Sequence, residues 1–567
     1  MGGPRDCRPH PSQALRGKRA PTIRERTNPA RFRMPGAPCP AHRLSLVRGG
    51  GLEPPQPFGH QNLNLARLPI PPSSRAGWVS YRECPRPVKR FLAPRTDTPC
   101  LLPGQSPWSP RAMLTFHIVS LGCPKNTVDA EVMLGHAHAR GLQPVDNPAD
   151  ADILVVNTCG FIEPAKKESI DTIFQLAQHK TSGRCKRLVV TGCLAQRYAQ
   201  DLAAQIPEID FLVGTGDVLH VASAMEGKGS RLHVGKAEGF LSTASTPRQL
   251  SKAGASAYVK IAEGCDRNCA FCVIPHIKGA HRSRTVEDVV REVEQLVEQG
   301  VLEVNLVSQD TLRYGHDLSS SLTTLVEQIA NVKGLHWVRV LYLYPDELDD
   351  ALLDLIGHHP HVAPYVDMPM QHAADSVLRR MRRGHGTRRL QRIVERIRKR
   401  APGVSLRSAF IVGFPGETDD EFEQLVSFLK WASFDHVGVF RYSDEEEATA
   451  HALAGKVPSR VSYNRFRKLM SVQRSISRIN NRRKKGQRVQ VIVEGPSEQH
   501  EWVLSGRHAG QAPEIDGQVF FTESDVREGE IWWAEVQEAT DYDLVVRVTG
   551  DGPIAVSRPR VSLPVLR

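Results

Sequence analysis

Three closely spaced cysteines are the part of this sequence with the clearest capacity for chemistry. They lie in the segment Cys265-Asp-Arg-Asn-Cys269-Ala-Phe-Cys272. Cysteine thiolates are the usual protein ligands of a [4Fe–4S] cluster, and three of them in one tight loop can reach three of its irons. The fourth iron then stays open to a small molecule, as a catalytic metal site keeps one vacant position. The alternative is a structural zinc site, which needs a fourth protein ligand, and His276 is the nearest candidate.

Three further cysteines, Cys123, Cys159 and Cys193, each follow a short apolar run and are spaced 34 to 36 residues apart. If the runs are parallel strands of one sheet, their carboxyl ends meet at one edge, where such sheets bind ligands. Three thiolates at that edge would make a second cluster or metal site. The alternative is that they are small apolar residues packed at strand ends, a common use of cysteine. Cys185 precedes its run, in a polar loop, and is interpreted as a bystander.

The segments around these three cysteines alternate between apolar runs and amphipathic patterns. The runs predict strands at 116–120, 153–156 and 187–191, and the patterns predict helices near 127–140, 163–179 and 195–205. This βαβαβα order predicts parallel strands joined by right-handed crossovers. We therefore expect an N-terminal parallel α/β domain over residues 113–240.

A second alternation surrounds the Cys265–Cys272 loop. Six apolar runs predict strands at 257–262, 302–307, 337–343, 363–368, 404–412 and 434–440. The first intervening helix, 286–299, begins after Thr285, which with Asp288 resembles a capping box. In β/α barrels the functional side chains gather at the carboxyl ends of the strands. Polar groups follow four of these runs, at 308–311, 344–345, 370–372 and 413–417.

The last part of the chain loses its helical pattern and shows short alternating runs. These predict strands at 489–493, 502–505, 518–522, 531–536 and 543–548. Gly and Pro turns between them favour a small antiparallel β barrel over residues 486–551, with 552–567 as a tail. The basic stretch Arg482–Arg488 leads into this module. It either contacts nucleic acid or is a solvated hinge, the commoner role of a short charge run.

The first 112 residues differ in composition from the rest. The 567-residue chain has a net charge of +12 and 40 prolines, and this segment alone holds 19 basic residues, 5 acidic residues and 21 prolines. Such a segment buries too little apolar surface to offset chain entropy, so we expect it to be disordered. A second interpretation is that translation starts at Met113. The remainder is close to neutral, so bulk charge does not indicate nucleic-acid binding, and no run approaches the roughly 20 apolar residues of a membrane span.

The loop Cys265–Cys272 resembles the hallmark of the radical S-adenosylmethionine (SAM) superfamily. The order of domains, an α/β domain with three cysteines, a barrel and a small β module, is similar to the methylthiotransferase family, in which the last module is called TRAM. The similarity covers roughly residues 115–550. It implies that residues 251–485 form a partial (βα)6 barrel and that Cys265, Cys269 and Cys272 hold a [4Fe–4S] cluster. The open iron would bind SAM, which on reduction yields a 5′-deoxyadenosyl radical.

The resemblance implies roles for five more residues. Cys123, Cys159 and Cys193 would hold an auxiliary [4Fe–4S] cluster whose open iron carries the sulfur to be delivered. Phe271 would lie beside the SAM adenine, or else is a packing aromatic. Arg407, on a strand opposite the loop, would pair with the SAM carboxylate, or else belongs to a structural ion pair.

Within this family the sequence is most similar to the branch that modifies a ribosomal protein. The segments that carry this similarity are Ser120–Asn126, Val156–Ile162, Leu306–Thr311, Tyr365–His372, Phe410–Thr418 and Ala512–Gly517. The transfer-RNA branch usually has Gln-Met-Asn after the first cysteine, where this chain has Pro124-Lys125-Asn126. The terminal module of that branch is also usually more basic, whereas residues 487–550 of this chain are rich in Glu and Asp. An acidic module suits a basic ribosomal protein better than a phosphate backbone.

The resemblance thus implies methylthiolation of the β-carbon of one aspartate in the twelfth protein of the small ribosomal subunit. It further implies a cytoplasmic enzyme reduced by a protein such as flavodoxin or ferredoxin. Two alternatives remain. One is a transfer-RNA methylthiotransferase acting on a modified adenosine, and the other is a non-catalytic iron–sulfur binding module. The second would not cleave SAM under reductant.

Overall fold

The computed structural model describes residues 113–251, 254–345, 347–497, 503–522 and 525–556. The predicted disorder of residues 1–112 and the predicted tail beyond residue 556 lie outside this part of the chain. Among the described helices, none combines the length and the apolar character needed to cross a membrane.

The N-terminal part is a six-stranded parallel sheet in the order β2-β1-β3-β4-β5-β6. Its elements are β1 (Thr115–Ser120), α1 (Pro124–Ala139), β2 (Gln143–Pro144), a 3₁₀ turn (Pro148–Asp150), β3 (Ile153–Thr158), α2 (Glu163–Ala177), α3 (His179–Ser182), β4 (Arg187–Gly192), α4 (Cys193–Gln205), β5 (Phe211–Val213), a 3₁₀ helix (Thr215–His220), α5 (Val221–Met225) and β6 (Leu232–His233). Every residue of β3 is buried, because helices cover both faces of the sheet. The parallel α/β fold is confirmed, and β2, β5 and β6 are additional strands too short to show a period in the sequence.

The central part contains six parallel strands arranged as two three-stranded sheets, β11-β10-β7 and β12-β13-β14. A parallel bridge between Val338 and Val362 joins the two sheets at β11 and β12. The elements are β7 (Ser256–Lys260), β8 (Ala262–Glu263), α6 (Ile274–Lys278), β9 (Arg282–Ser283), α7 (Val286–Glu298), β10 (Glu303–Val307), a 3₁₀ turn (Thr311–Arg313), α8 (Leu322–Ala330), β11 (Trp337–Val340), α9 (Asp350–His358), β12 (Tyr365–Asp367), α10 (Asp375–Arg380), α11 (Thr387–Arg400), β13 (Ser405–Val412), α12 (Asp419–Ala432), β14 (His436–Arg441), a 3₁₀ helix (Thr449–Ala452) and α13 (Ser459–Arg482). The six strands fall on the six predicted runs, as expected for a partial (βα)6 barrel.

The expected capping box at the start of α7 forms only in part. The Thr285 hydroxyl accepts a hydrogen bond from the Asp288 amide at 3.3 Å. The Asp288 carboxylate instead accepts from the Ala244 amide at 2.9 Å and from Arg284 at 2.8 Å. An ion pair with Arg284, four residues earlier, and a long-range contact with the Ala244 amide have therefore replaced the second half of the motif. A charged donor is a stronger partner than a backbone amide.

The C-terminal module is a closed five-stranded barrel in the order β15-β16-β17-β19-β18. Its strands are β15 (Arg488–Pro496), β16 (Leu504–His508), β17 (Val519–Phe521), β18 (Ile531–Ala539) and β19 (Leu544–Val548). Four of its five ladders are antiparallel, as expected. The fifth, between β17 and β19, is parallel, because β19 returns beside β18 and meets β17 on its other edge to close the barrel.

A buried ion triad fastens this module to the central barrel. Glu303, which is fully buried, pairs with Arg339 of β11 at 2.7 Å and with Arg507 of β16 at 2.5 Å. Burial alone would raise the pKa of Glu303, but the two guanidinium groups outweigh it and lower the pKa to about 2. The carboxylate is therefore charged throughout the physiological range and holds two domains at one point.

We expect Glu303→Gln to lower the free energy of unfolding by about 3–5 kcal/mol, because two buried guanidinium groups lose the carboxylate that they share. The lowered pKa means that this stabilisation is complete above the unfolded-state value, about 4.3, and is lost as pH falls toward about 2. Urea unfolding at pH 7 and at pH 3 should therefore show a smaller gap between variant and wild type in acid. Glu294→Gln, at an exposed position of α7, is the control, and an equal loss in both variants would contradict the role of the triad.

Candidate active site

The N-terminal trio, Cys123, Cys159 and Cys193, lies at the carboxyl ends of the neighbouring strands β1, β3 and β4. Cys123 caps the amino end of α1, and Cys193 is the first residue of α4. Gly122 has a φ of +97°, and a Cβ atom there would approach the Cys159 Cβ to 2.8 Å and its Sγ to 3.1 Å. The glycine is needed because the first cysteine loop runs directly against the second.

Asn126 links the three loops and is a site residue that sequence reasoning did not identify. Its Nδ2 donates to the Leu121 carbonyl at 2.8 Å and to the Thr158 carbonyl at 3.1 Å. Its Oδ1 lies 3.9 Å from the Cys193 Sγ. One buried amide therefore contacts all three strand ends. In the sequence it stood only as part of a family motif, with nothing to reveal these contacts.

The chemistry of this trio fits an iron cluster. Burial raises the pKa of Cys193 to about 11, with Cys123 adding to the shift and Lys278 opposing it. Burial also raises the pKa of Cys159 well above its usual value, reinforced by the other two thiols. All three cysteines are free of disulfides. Three adjacent thiols, of which buried Cys159 and Cys193 resist ionisation alone, are a favourable donor set for iron, whose positive charge stabilises thiolates.

The barrel trio, Cys265, Cys269 and Cys272, lies in the loop that follows β7 and β8. The Cys265 amide donates to the Gly279 carbonyl at 3.0 Å, which folds the loop back on itself. Gly264, with a φ of +83°, permits this because a Cβ atom there would overlap the Ala280 carbonyl oxygen.

Each sulfur of the barrel trio accepts one N–H group. The Arg267 amide lies 3.5 Å from the Cys265 Sγ, and the Ile274 amide lies 3.4 Å from the Cys272 Sγ. The Arg383 guanidinium lies 3.4 Å from the Cys269 Sγ. Such N–H donors stabilise thiolates, and where the thiolates hold an iron–sulfur cluster they also tune its reduction potential.

The zinc alternative is not supported by the position of His276. This residue is exposed on α6 and is absent from the described lining of the cavity that the cysteines share. The barrel trio therefore gains no fourth protein ligand from the nearest histidine in the sequence. Three cysteine donors are the number expected where a [4Fe–4S] cluster keeps one iron open for SAM.

Both cysteine trios line one cavity of about 300 Å³ between the N-terminal sheet and the barrel. Phe271 lines it and also packs against the small apolar cluster around Phe414, so its two predicted roles are compatible. Side chains from three of the four predicted strand-end groups reach it as well, namely Gln309, Asp310, Tyr344 and Gln371. The cavity is thus the place where two cluster sites and the barrel mouth meet.

Two lining residues have left-handed backbone conformations. Tyr342 has a φ of 62° and Gln371 a φ of 71°, and both follow barrel strands. The Nζ atom of Lys125, from the N-terminal domain, lies 3.6 Å from the centre of the Tyr342 ring. Such conformations cost energy in non-glycine residues and concentrate at functional sites.

An aromatic–guanidinium stack forms one wall beside the barrel trio. The guanidinium carbons of Arg267 and Arg383 lie 3.9 and 4.0 Å from the centre of the Tyr344 ring. Arg267 is fixed by Asp310 at 2.6 Å and by Glu347 at 2.8 Å. Arg383 also donates to the Pro369 carbonyl at 2.8 Å. Arg383 has no motif of its own, since it lies within an arginine-rich stretch far from the cysteine loop.

Arg407 is placed differently from the role predicted for it with the SAM carboxylate. It does not contribute to the described cavity lining and is buried, pairing with Asp367 at 3.2 Å and with Asp516 of the C-terminal module at 3.4 Å. These carboxylates, together with Tyr365, raise its pKa above an already high value in spite of burial. The contacts are those of the structural ion pair, the second role that the sequence allowed.

A buried cluster of four charges connects the two trios. Lys260 pairs with Asp129 and, at 2.6 Å, with Glu263; Lys278 lies 3.3 Å from Asp129 and 3.6 Å from Glu263. Burial opposes the charge on both lysines, but the two carboxylates raise the pKa of each, so both remain charged. Asp129 follows the first cysteine loop and Glu263 precedes the second. The cluster therefore fixes one trio relative to the other.

Three family models match this chain. Residues 115–214 match the uncharacterized protein family UPF0004, residues 259–429 match the radical SAM superfamily, and residues 486–549 match the TRAM domain. The solved structure of the radical SAM methyltransferase TsrM from Kitasatospora setae is 15% identical, with a TM-score of 0.44 over 58% of this chain and 74% of that chain.

Full-length relatives match more closely. The ribosomal protein uS12 methylthiotransferase RimO of Sorangium cellulosum is 55% identical over 77% of this chain and 91% of its own length. Those of Anaeromyxobacter sp. (strain K) and Myxococcus xanthus are 46% and 44% identical, over 78% and 76% of this chain and 95% and 91% of their own lengths. The family predicted from the order of domains and the six matching segments is confirmed: the chain belongs to the RimO family of ribosomal protein uS12 methylthiotransferases.

Proposed function

We propose that this protein transfers a methylthio group to the β-carbon of an aspartate in ribosomal protein uS12. The observation that carries the proposal is the single cavity lined by both cysteine trios. Radical formation and sulfur delivery must act on the same carbon, so the two sites have to open onto one space. Membership of the RimO family supplies the substrate.

In this proposal each cysteine trio holds one [4Fe–4S] cluster, as Cys123, Cys159 and Cys193 on one side and Cys265, Cys269 and Cys272 on the other. When bound, the clusters and SAM supply the radical that removes hydrogen from the aspartate and the sulfur and methyl group that replace it. The protein supplies the positions of these groups and a site protected from water.

The residues of the cavity support this task through position rather than proton transfer. Phe161 and Ile411 give apolar walls that exclude water from a reactive centre. The stack of Arg267, Tyr344 and Arg383 holds cationic groups at fixed positions beside the barrel trio. A SAM carboxylate or the substrate aspartate is the kind of group that such guanidinium groups recognise.

The acidic C-terminal module favours a protein substrate over transfer RNA. Residues 487–550 contain 13 acidic and 4 basic residues. A phosphate backbone is repelled by such a surface, whereas a basic ribosomal protein is attracted. Transfer RNA is therefore the second candidate substrate.

Three features of the setting are part of the proposal. The reaction takes place in the cytoplasm, where ribosomes are assembled. A flavodoxin or ferredoxin provides the electrons. The chain divides at residues 113–240, 251–485 and 486–551, with residues 1–112 and 552–567 outside the three working domains.

Mass spectrometry of a strain that lacks this protein tests the proposal. We expect one aspartyl peptide of uS12 to lose the mass of a methylthio group in place of hydrogen, and the full chain to restore it. Transfer-RNA hydrolysates from the same cells provide the comparison. Loss of a methylthio adenosine with an unchanged uS12 peptide would instead identify the transfer-RNA activity.

A further inference from the structure

The helix α13, which connects the barrel to the C-terminal module, is unusually basic for a chain with so many acidic residues nearby. Residues 459–485 contain ten lysines and arginines and no aspartate or glutamate. The helix has 24 residues, which corresponds to a length of about 36 Å. Arg465 is buried, but exposed basic side chains occur along the whole length of the helix, at positions 460, 467, 468, 478 and 482. Positive charge distributed over this length suits an extended polyanion better than a compact acidic group.

The amino-terminal half of α13 begins beside the mouth of the cavity. Arg441, which lines the cavity, donates to the Ser459 hydroxyl at 3.5 Å. Ser462 packs against Gly413, at the carboxyl end of β13. The basic helix face therefore starts at the entrance to the active site and leads away from it.

An exposed tyrosine lies between two arginines on this face. The Tyr463 side chain is 48% exposed, although it is aromatic. The guanidinium carbon of Arg441 lies 5.9 Å from the centre of its ring, and that of Arg467 lies 6.0 Å away. Arginines that flank an accessible aromatic ring are the combination with which proteins bind both the phosphates and the bases of RNA.

Only part of this charge is neutralised within the protein. Arg465, Lys468 and Arg478 pair with Asp419, Glu423 and Asp541. Arg460 and Arg467 are exposed, and in the described ranges no carboxylate forms an ion pair with either. Their charges are therefore available to a partner.

We propose that Arg441, Arg460, Tyr463 and Arg467 form an RNA-binding strip, and that the RNA is the ribosomal RNA that surrounds the substrate. The inference rests on the proposed function and deepens it, because a strip at the cavity mouth that binds RNA selects uS12 on the ribosomal subunit over the free protein. The strip does not suit uS12 itself, which is basic. The acidic C-terminal module and the basic helix thus contact the protein and the RNA of one particle.

The first test measures RNA binding without catalysis. The probe is a short fluorescent single-stranded RNA, titrated with the full-length protein carrying its clusters under anaerobic conditions. We expect Arg460→Gln/Arg467→Gln to weaken binding about tenfold and to reduce the slope of log affinity against log salt by about 1.4, the value for two lost phosphate contacts. Tyr463→Ala should weaken binding with an unchanged slope, since it removes stacking and no charge.

The matched control is Arg291→Gln/Lys333→Gln, which removes the same charge from exposed positions beside α7 and α8. It should bind the RNA as the wild type does. Absence of RNA binding by the wild type at low salt would overturn the inference, as would equal weakening in the control pair.

The second test separates this inference from the proposed function. Methylthiolation is measured on free uS12 and on purified small subunits that lack the modification. For Arg460→Gln/Arg467→Gln we expect kcat/KM to fall about tenfold more on subunits than on free uS12. Equal activity of the variant and the wild type on subunits would overturn the RNA strip and leave the function in place. Failure of the wild type on both substrates would overturn the function, while RNA binding would still be measured by the first test. If Arg460→Gln/Arg467→Gln bound RNA as the wild type does but was no longer reduced by flavodoxin, the strip would be a binding site for the reductant. That result would also overturn the inference.

Discussion

Replacement of Cys269 by alanine should abolish SAM cleavage and leave the auxiliary cluster in place. The Cys269 sulfur is one of three donors in its loop and the one that contacts Arg383, at 3.4 Å. With only two thiolates the loop cannot retain a cubane cluster, and the guanidinium also loses its sulfur partner. We expect the formation of 5′-deoxyadenosine under reductant to fall to background and the iron content to fall from about eight to about four per chain.

Cys185→Ala provides the control for this experiment. Cys185 is a buried cysteine whose sulfur contacts the Arg187 carbonyl at 3.2 Å, and it takes no part in the described cavity lining. This variant should keep both clusters and full SAM cleavage. A Cys269→Ala protein that retained about eight irons per chain would contradict the ligand assignment.

Replacement of Cys193 by alanine should have the opposite effect and separate the two halves of the chemistry. Cys193 begins α4 and belongs to the N-terminal trio, and it lines the shared cavity together with Lys278 of the charge cluster. We expect the auxiliary cluster to be lost and methylthiolated uS12 to become undetectable. SAM should still be cleaved, because the barrel loop keeps its three sulfurs and its N–H donors.

The measurement combines iron analysis, assay of 5′-deoxyadenosine and mass spectrometry of the uS12 peptide on one preparation. Cys185→Ala again serves as the control, with normal product. Methylthiolation by the Cys193→Ala protein would show that sulfur is delivered without the N-terminal trio. A complete loss of both clusters would show that the trios do not form independently.

The sequence predicted the features of this protein that depend on spacing along the chain. The six cysteines proposed to hold clusters were predicted because cysteines at such intervals have few other uses. The parallel strands were predicted because buried strands leave apolar runs, as in the fully buried β3. The strands of the C-terminal barrel followed from alternation, but the parallel ladder between β17 and β19 did not, since strand pairing between distant segments leaves no periodic signal.

The features that the sequence could not predict come from contacts between distant residues. Arg383 contacts a cysteine 114 positions away. Lys278 and Asp129 come from different domains, and each alone resembles an ordinary surface charge. Arg407 is an example in which the sequence suggested a contact that the fold does not show. Its position on a barrel strand suggested a ligand contact, and only the fold shows that Asp367 and Asp516 already occupy its guanidinium.

The contacts of Asp516 and Arg507 with the barrel also bear on how such enzymes can be recombined. Asp516 accepts a hydrogen bond from the Tyr365 hydroxyl at 2.6 Å and pairs with Arg407, while Arg507 forms an ion pair with Glu303. Consider a chimera whose terminal module comes from a transfer-RNA relative. Arg407 and Glu303 would remain buried in the barrel without these partners, unless the new module carried residues equivalent to Asp516 and Arg507. The terminal module and the catalytic core should therefore change together in evolution. An attempt to change the substrate by exchanging the module alone should yield an insoluble protein rather than a new activity.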